Sequence, residues 1–251
     1  MCRHLAYLGP TLPLAALLLD PPHSLARQSW APKDMRGGGV VNADGFGVGW
    51  YPPGTTAPVR YRRDCPIWTD AGLVPLARAT SAGAVLAALR NATVGMPVME
   101  TAAAPFTEGP WLFSHNGAVE GWPDSVAGLA ASLPVRDLMT LDAPTDAAFL
   151  WALVRHRLRG GAGLDTSVVA TMADVVAAAP RSRLNLLLTD GRTVVATAWW
   201  HALSVRLEPG TSTLISSEPL DDDPAWQPVP DRHLVVATAG SVDLRPLTEG
   251  I

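Results

Sequence analysis

The chain has 251 residues, of which 48% are hydrophobic and 17% charged, proportions typical of a globular protein with a well-buried core. Its net charge of −4 offers no broad positive surface for nucleic acid, so no nucleic-acid partner is expected. The presence of only two cysteines, Cys2 and Cys65, argues against a disulfide framework and excludes a zinc site made mainly of cysteine.

No membrane-spanning or secretion segment is expected. Leu12–Leu19 is the only apolar run near the N-terminus, and Pro13 interrupts it. No small-residue cleavage site follows this run, and no segment approaches the roughly 18–20 apolar residues of a membrane span. The sequence therefore predicts a cytoplasmic soluble protein without a membrane partner.

The N-terminal half is predicted to contain strands separated by glycine-rich turns. Cys2–Leu8 alternates as a half-buried strand does, and Leu12–Leu19 is predicted to form a short helix. Gly37–Tyr51 is a glycine-rich turn leading into an apolar strand, and its "GFGVG" stretch is interpreted as a flexible turn because it lacks phosphate-loop spacing. Val85–Thr93 fits either a helix or a buried strand. Trp111–Val119 is strand-like around a tight Asn-Gly turn.

The C-terminal half is predicted to begin with helices and end with strands. Pro144–Arg159 and Thr166–Ala179 have helical spacing, and Gly160 ends the first helix. Two apolar runs around Asp190-Gly191 predict a hairpin. Further strands are expected near Ser212–Ser217 and His233–Thr238. Strands at both ends and helices between them indicate one α+β domain without repeats.

Several kinds of site are not expected. The six histidines show no ligand spacing, so neither a metal site nor a cofactor is expected. Ser216 and Ser217 precede Glu218, but no G-x-S-x-G motif surrounds them, so a serine nucleophile is not indicated.

Cys2 is the candidate nucleophile because of its position. An arbitrary cysteine is more often an inert buried residue. Removal of Met1, however, would leave Cys2 with a free α-amine whose reference pKa of about 7.7–8.0 lets it accept a proton near neutral pH. Thiol and base would then belong to one residue, as in an N-terminal nucleophile.

Two further motifs could complete an acyl-transfer site. "RNAT" (Arg90–Thr93) offers a guanidinium and a hydroxyl, and "SHNG" (Ser114–Gly117) offers a side-chain amide and an accessible backbone N–H. Taken separately, Arg90 would be a surface arginine and "HNG" a hairpin turn. Their occurrence together with Cys2 supports the catalytic interpretation.

The ordered motifs resemble a known family. They are "MCRHLAYLG", "DGFGVGWY", "RNATVG", "PFTEGPWLFSHNG" and "PTDAAFL". In this order they resemble the class II glutamine amidotransferase domain of the N-terminal-nucleophile hydrolases, over almost the whole chain. The family's usual "R-[WY]-A-T-H-G" appears here as "RNATVG", so contacts made by its aromatic and histidine side chains are not expected of Asn91 and Val94.

The resemblance implies a four-layer αββα sandwich and a role for each site residue. Cys2 would attack a γ-amide carbonyl and form a glutamyl-thioester, with its α-amine carrying the proton. The Asn116 amide and the Gly117 N–H would hold the oxyanion. Arg90 would bind the glutamyl α-carboxylate and Asp146 the α-ammonium. Substrate contacts are also expected from Thr93 and His115.

The resemblance leaves more than one activity open. One domain, residues 2–251 after loss of Met1, would fill the chain and leave no room for a fused synthase. A hydrolase of small γ-glutamyl amides is therefore the first expectation. A glutaminase subunit that supplies ammonia to a separate synthase is the second, and a non-catalytic binding protein is the third. No feature of the sequence specifies an oligomeric state.

The resemblance also implies an amine half that carries a trimethylammonium group, which aromatic faces attract. Trp30, Trp50, Trp68 and Tyr51 are candidates for this contact.

Overall fold

The computed structural model describes residues 2–36 and 41–247, and within these ranges the chain forms thirteen strands and seven α-helices. The strands are β1 (Arg3–Pro13), β2 (Phe46–Trp50), β3 (Val59–Arg63), β4 (Ser81–Leu89), β5 (Phe106–Glu108), β6 (Trp111–Ala118), β7 (Arg183–Thr189), β8 (Val194–Ala198), β9 (Ser204–Glu208), β10 (Ser212–Ser216), β11 (Trp226–Pro228), β12 (His233–Thr238) and β13 (Ser241–Pro246). The helices are α1 (Ala15–Leu18), α2 (Leu25–Gln28), α3 (Leu73–Ala79), α4 (Ala127–Ala131), α5 (Val135–Met139), α6 (Asp146–Arg159) and α7 (Leu164–Ala178).

The strands form two antiparallel sheets. Sheet A has seven strands in the order β11-β9-β10-β1-β4-β2-β3, and sheet B has six in the order β13-β12-β8-β7-β6-β5. The N-terminal strand β1 is therefore central in sheet A, paired with β4 on one side and β10 on the other. In sheet B, the strand that carries "SHNG" is β6, which lies next to the edge strand β5 and is paired with β5 and β7.

Three hydrophobic cores separate four layers of structure. The first lies between sheet A and α1–α3, the second between the two sheets, and the third between sheet B and the helices α6 and α7. This arrangement confirms the expected α+β class and the αββα sandwich. Residues of the three cores include, in that order, Leu5 and Leu17, Leu86 and Leu112, and Leu186 and Trp151.

The "GFGVG" stretch is not a flexible turn, as the sequence suggested, but most of strand β2. Its glycines are needed for packing. A Cβ atom on Gly47 would lie 2.3 Å from the Ala104 carbonyl oxygen, and one on Gly49 would lie 2.7 Å from the Leu112 side chain. The glycines thus let sheet B and the segment before β5 approach β2 closely.

The register of sheet A brings the ends of three strands to one edge. Leu89, the last residue of β4, pairs with Arg3 of β1 and with Phe46 of β2. Cys2, which precedes β1, and Arg90, which follows β4, therefore lie next to each other. Within β1 the side chains alternate, with Leu5 facing the helices and Ala6 facing sheet B.

The structure confirms most of the predicted elements. The helix expected from Pro144 to Arg159 is α6, capped by the Thr145 hydroxyl, which accepts from the Ala148 N–H at 3.3 Å. The hairpin around Asp190-Gly191 is β7 and β8, which pair antiparallel. The ambiguous Val85–Thr93 segment is a strand as far as Leu89.

Two other predictions are wrong or only partly right. The Asn-Gly pair in "SHNG" is not a turn, because both residues lie inside β6 and pair with β7. Leu12–Leu19 is helical only over Ala15–Leu18, since β1 extends to Pro13. In the glycine-rich turn predicted before β2, residues 37–40 lie outside the described residues.

None of the helices in the described ranges is long and apolar enough to cross a lipid bilayer.

Candidate active site

One cleft between the two sheets gathers six of the seven site residues predicted from the sequence. The cleft has a volume of about 40 Å³ and adjoins a second cavity of about 400 Å³, with which it shares Thr93, Met96 and Asp146. Asn116, the seventh, is not among the residues that line the cleft, although it lies between His115 and Gly117 on β6. The six predicted residues that line it are Cys2, Arg90, Thr93, His115, Gly117 and Asp146.

The Cys2 thiol is half-buried and is a free cysteine. It lies against the backbone of Asn91, whose N–H points to Sγ at 3.5 Å and whose carbonyl oxygen lies 3.7 Å from Sγ. Cys65 is the second free thiol, and it packs against the core between sheet A and its helices. Of these two thiols, Cys2 is the one placed in the cleft.

Asn116 and Gly117, the two residues expected to hold the oxyanion, are neighbours on β6. Asn116 is 1% exposed, and neither atom of its side-chain amide has a hydrogen-bond partner among the described residues. Such an orphaned buried amide costs stability unless something pairs with it. At Gly117, a Cβ atom would lie 1.8 Å from the Arg183 carbonyl oxygen, so only glycine fits this close approach.

Arg90 follows β4 and is held by the residues that precede β2. Its N–H donates to the Gly45 carbonyl at 2.8 Å, and its own carbonyl accepts from the Asp44 N–H at 3.1 Å. The Asp44 carboxylate accepts from the Ala92 N–H at 2.8 Å and so fixes the turn that carries Arg90 and Thr93. Asp44 is not among the site residues predicted from the sequence, although an Asp-Gly pair before an apolar strand is a signal for a turn-forming carboxylate.

Asp146 is the first residue of α6. One carboxylate oxygen accepts from the Val119 N–H at 2.9 Å, and the other accepts from the Ala147 N–H at 2.8 Å. These two donors hold the Asp146 carboxylate in place at the N-terminus of α6. The cleft therefore holds a cation, Arg90, and an anion, Asp146, in addition to the thiol.

Three buried histidines lie around Cys2 and β6. His115 Nε2 donates to the Arg183 carbonyl at 2.9 Å, and His4 Nδ1 lies 3.2 Å from the Ser114 hydroxyl. Burial, followed by the influence of His115 and His201, lowers the pKa of His4 to about 3. Burial and nearby positive charge also lower the pKa of His201 to about 3. Both imidazoles are therefore neutral at physiological pH.

The aromatic residues suggested for the amine half are not among those that line the cleft or the adjoining cavity. Trp30 and Trp68 are exposed, at 43% and 47%, whereas Trp50 is buried in the core against α1–α3. Tyr51 is buried, and its hydroxyl lies within hydrogen-bond distance of two backbone carbonyls, those of Pro110 and Thr189. Among the described aromatic residues, Trp122 lines the adjoining cavity and Phe106 lines the cleft.

The four-layer sandwich with a thiol at the start of a central strand defines the class of the protein, which has the N-terminal-nucleophile hydrolase fold. A class II glutamine aminotransferase domain protein from Silicibacter pomeroyi shares this fold, with a TM-score of 0.67, 22% identity, and coverage of 98% of this chain and 99% of that one. The sequence profile for class II glutamine amidotransferases matches residues 16–211. The chain belongs to the class II glutamine amidotransferase family.

Two curated relatives are similar over nearly the whole chain. The γ-glutamyl-hercynylcysteine sulfoxide hydrolase of Mycolicibacterium smegmatis is 42% identical over 247 residues, which cover 98% of this chain and 100% of the relative. The protein of the same name from Mycobacterium tuberculosis is 40% identical and covers 98% of this chain and 97% of the relative.

Proposed function

We propose that this protein hydrolyses the γ-glutamyl amide bond of γ-glutamyl-hercynylcysteine sulfoxide, giving glutamate and hercynylcysteine sulfoxide in ergothioneine biosynthesis. The observation that carries the proposal is the cleft itself, where a free thiol lies with one cationic and one anionic side chain. The two mycobacterial relatives, at 40–42% identity, support the choice of this amide.

In the first half-reaction Cys2 is the nucleophile. The α-amine, exposed by loss of Met1, takes the thiol proton while Sγ forms a bond to the γ-carbonyl carbon. The negative charge passes to the carbonyl oxygen, which the Asn116 amide and the Gly117 N–H stabilise. When the carbonyl re-forms, the C–N bond breaks, the amine leaves with the proton, and a glutamyl-thioester remains on Cys2.

In the second half-reaction water replaces the amine. The Cys2 α-amine takes a proton from the water as its oxygen bonds to the thioester carbon. The same donors stabilise the second oxyanion, and its collapse breaks the C–S bond. Glutamate is released, and the proton returns to the thiol.

Recognition of the glutamyl end uses the opposite charges of the cleft. Arg90 makes a two-pronged contact with the α-carboxylate, and Asp146 accepts from the α-ammonium. Thr93 lies beside both in the cleft and supplies a hydroxyl, and His115 lies on the β6 side. The free amide atoms of Asn116 support its assignment to the oxyanion, because they have no other partner among the described residues.

We further propose that residues 2–251 form a single glutamine amidotransferase domain. The proposal also includes removal of Met1, because an acylated or extended nitrogen on Cys2 would not serve as the base. We place the enzyme in the cytoplasm, where a free catalytic thiol stays reduced.

The test compares two substrates with the same purified protein. Glutamate release is measured with γ-glutamyl-hercynylcysteine sulfoxide and with glutamine at equal concentrations. The proposal predicts a clear preference for the first. Faster release from glutamine would favour a glutaminase that supplies ammonia to a partner, and release from neither would favour a binding protein.

A further inference from the structure

The segment that ends β10 holds the first residues of the chain in place. The His4 N–H donates to the Ser217 hydroxyl at 3.0 Å, and the Ser217 N–H donates to the His4 carbonyl at 2.9 Å. Glu218, the next residue, contacts Arg3. His4 and Ser217 are 213 positions apart in sequence, and Arg3 and Glu218 are 215 apart, so these contacts form only when the chain is folded.

Arg3 joins this segment to the nucleophile. Its Nε donates to Glu218 Oε1 at 2.9 Å, and its Nη1 donates to the Cys2 carbonyl at 3.0 Å. The remaining nitrogen, Nη2, donates to the Asp34 carbonyl and also contacts Glu218 Oε1 at 2.8 Å. Arg3 is 1% exposed and Glu218 is 3% exposed, so solvent does not weaken these charged contacts.

Glu218 is itself fixed from several directions. Its Oε2 accepts from His23 Nε2 at 2.6 Å and from the Lys33 N–H at 2.8 Å, and its Oε1 accepts from the Asp34 N–H at 3.2 Å. Burial alone would raise the pKa of this carboxyl, but the hydrogen bonds from His23 and Lys33 and the charge of Arg3 lower it. Glu218 is therefore an ionised, rigidly held acceptor for the Arg3 guanidinium.

A nucleophile at the start of a chain needs such a support. Once Met1 is removed, Cys2 has a covalent backbone connection on its C-terminal side only. Rotation about its Cα–C bond would swing both the α-amine and the thiol. The Arg3 Nη1 bond to the Cys2 carbonyl fixes the peptide group that Cys2 shares with Arg3, and with it the position of the Cys2 Cα atom and the axis about which the thiol and the α-amine turn.

We propose that Arg3 and Glu218 are positioning residues, which hold the Cys2 main chain so that its thiol and α-amine face the γ-amide. The effect of these two residues on catalysis rests on the proposed function. Neither residue lines the cleft, and neither touches the glutamyl site. They act through the Cys2 carbonyl, by a guanidinium fork that a single-nitrogen side chain cannot reproduce.

The test uses Arg3→Lys and Glu218→Gln, with Arg155→Lys as a matched control. Arg155 lies on α6 outside the cleft and is 5% exposed, and its guanidinium lies 3.8 Å from Asp137 of α5 and 3.8 Å from Glu108 of β5. All variants are assayed below their melting temperatures for kcat and KM with γ-glutamyl-hercynylcysteine sulfoxide. Alkylation of Cys2 by iodoacetamide is measured in parallel by mass spectrometry, with Cys65 as the internal reference.

The proposal predicts different changes in the two kinds of variant. Arg3→Lys and Glu218→Gln should lower kcat by about 10- to 100-fold, the usual effect of a small misplacement of reacting groups, with little change in KM. The Cys2 thiol, freed from its contact with Asn91, should be alkylated about threefold faster relative to Cys65. Arg155→Lys should lower the melting temperature while leaving kcat and the alkylation ratio unchanged.

The opposite results would overturn the proposal. If kcat in Arg3→Lys and Glu218→Gln falls no further than in Arg155→Lys, the ion pair only stabilises the fold. Alkylation needs no substrate, so it still decides the question if the wild-type protein does not hydrolyse the γ-glutamyl amide. In that case an unchanged Cys2-to-Cys65 ratio refutes positioning, and an increased ratio supports it even though the proposed substrate is wrong.

Discussion

Asn116 and Asn185 face each other across β6 and β7, yet only Asn185 has hydrogen bonds from its side-chain amide within the described part of the protein. Asn185 Nδ2 donates to the His201 carbonyl at 2.9 Å, and its Oδ1 accepts from the Trp199 and His201 N–H groups at 3.0 and 3.1 Å. Both side chains are buried. The fold thus uses one amide for structure and leaves the other available to a ligand.

This difference predicts opposite effects of two alanine substitutions. Asn116→Ala should lower kcat by about 10²–10³-fold, the typical cost of one oxyanion donor, and change KM little. Its free energy of unfolding should not fall below that of the wild type, because no hydrogen bond is lost and an unpaired buried amide is removed. Asn185→Ala should lower the free energy of unfolding by at least about 2 kcal/mol, since three backbone groups lose their partner. Steady-state kinetics and urea unfolding of both variants check the prediction, and a wild-type kcat in Asn116→Ala would remove Asn116 from the mechanism.

The proposed roles of Arg90 and Asp146 predict a dependence on the substrate's own charges. Removing one member of a buried charge contact typically costs about 2–5 kcal/mol, or roughly 30-fold and upward in kcat/KM. Asp146→Asn should therefore impair γ-glutamyl substrates, but leave unchanged the low activity towards analogues that lack the α-amino group. Arg90→Lys should also be damaging, because lysine cannot make the planar two-pronged contact.

Asp165 provides a matched control for Asp146. It lies in the first turn of α7 and accepts from the N–H of the next residue at 2.8 Å, as Asp146 does in α6. Asp165→Asn should leave kcat/KM unchanged for both substrates. If Asp146→Asn reduces activity towards the γ-glutamyl and the des-amino substrates equally, Asp146 is structural and the glutamyl site is misassigned.

The nucleophile can be identified by chemical labelling. A diazo-ketone analogue of glutamine should modify Cys2 and not Cys65, because only Cys2 lies in the cleft with Arg90 and Asp146. Cys2→Ala should abolish turnover and Cys65→Ser should retain it. Intact mass should show the loss of Met1, and full activity in protein that retains Met1 would contradict the α-amine as base.

The elements that could be predicted are those specified by local sequence. Helix α6 has a Thr145 cap and a terminal Gly160, and the β7–β8 hairpin has its Asp-Gly pair. Strand β4 was ambiguous because its alanines favour a helix, whereas its position between β1 and β2 decides for a strand. The Asn-Gly pair of "SHNG" predicts a turn because turn propensity is local, whereas the pairing with β7 that makes it a strand is not.

The site was predicted by resemblance and by the position of Cys2, and its supporting contacts were not. The contact of Arg3 with Glu218 joins residues 215 positions apart, and although Arg3 lies in the "MCRHLAYLG" motif, nothing in the sequence pairs it with Glu218. Glu218 was noted only as part of a "SSE" stretch without a nucleophile motif. Long-range hydrogen bonds of this kind depend on the strand order, with β10 beside β1, which local patterns do not specify.

The neutral histidines His4 and His201 predict a loss of stability in mild acid. In the folded protein the pKa of each is lowered to about 3, chiefly by burial, whereas an unfolded histidine has a pKa of about 6.5. As the pH falls through 6.5, the unfolded chain binds protons that the folded protein does not, so the free energy of unfolding decreases. Each histidine should account for about 2 kcal/mol of this decrease between pH 7 and pH 5.

Urea unfolding of the wild type, His4→Asn and His201→Asn at pH 7 and pH 5 measures this contribution. Because each substitution also changes the stability at pH 7, the quantity compared is each protein's own change in the free energy of unfolding between the two pH values. That change should be smaller than in the wild type by about 2 kcal/mol for each histidine removed, and by about twice as much in the double variant. The free energy of unfolding decreases as the pH falls because the folded protein keeps both imidazoles neutral while the unfolded chain binds protons. Parallel pH dependences in wild type and variants would mean that His4 and His201 take up protons in the folded protein.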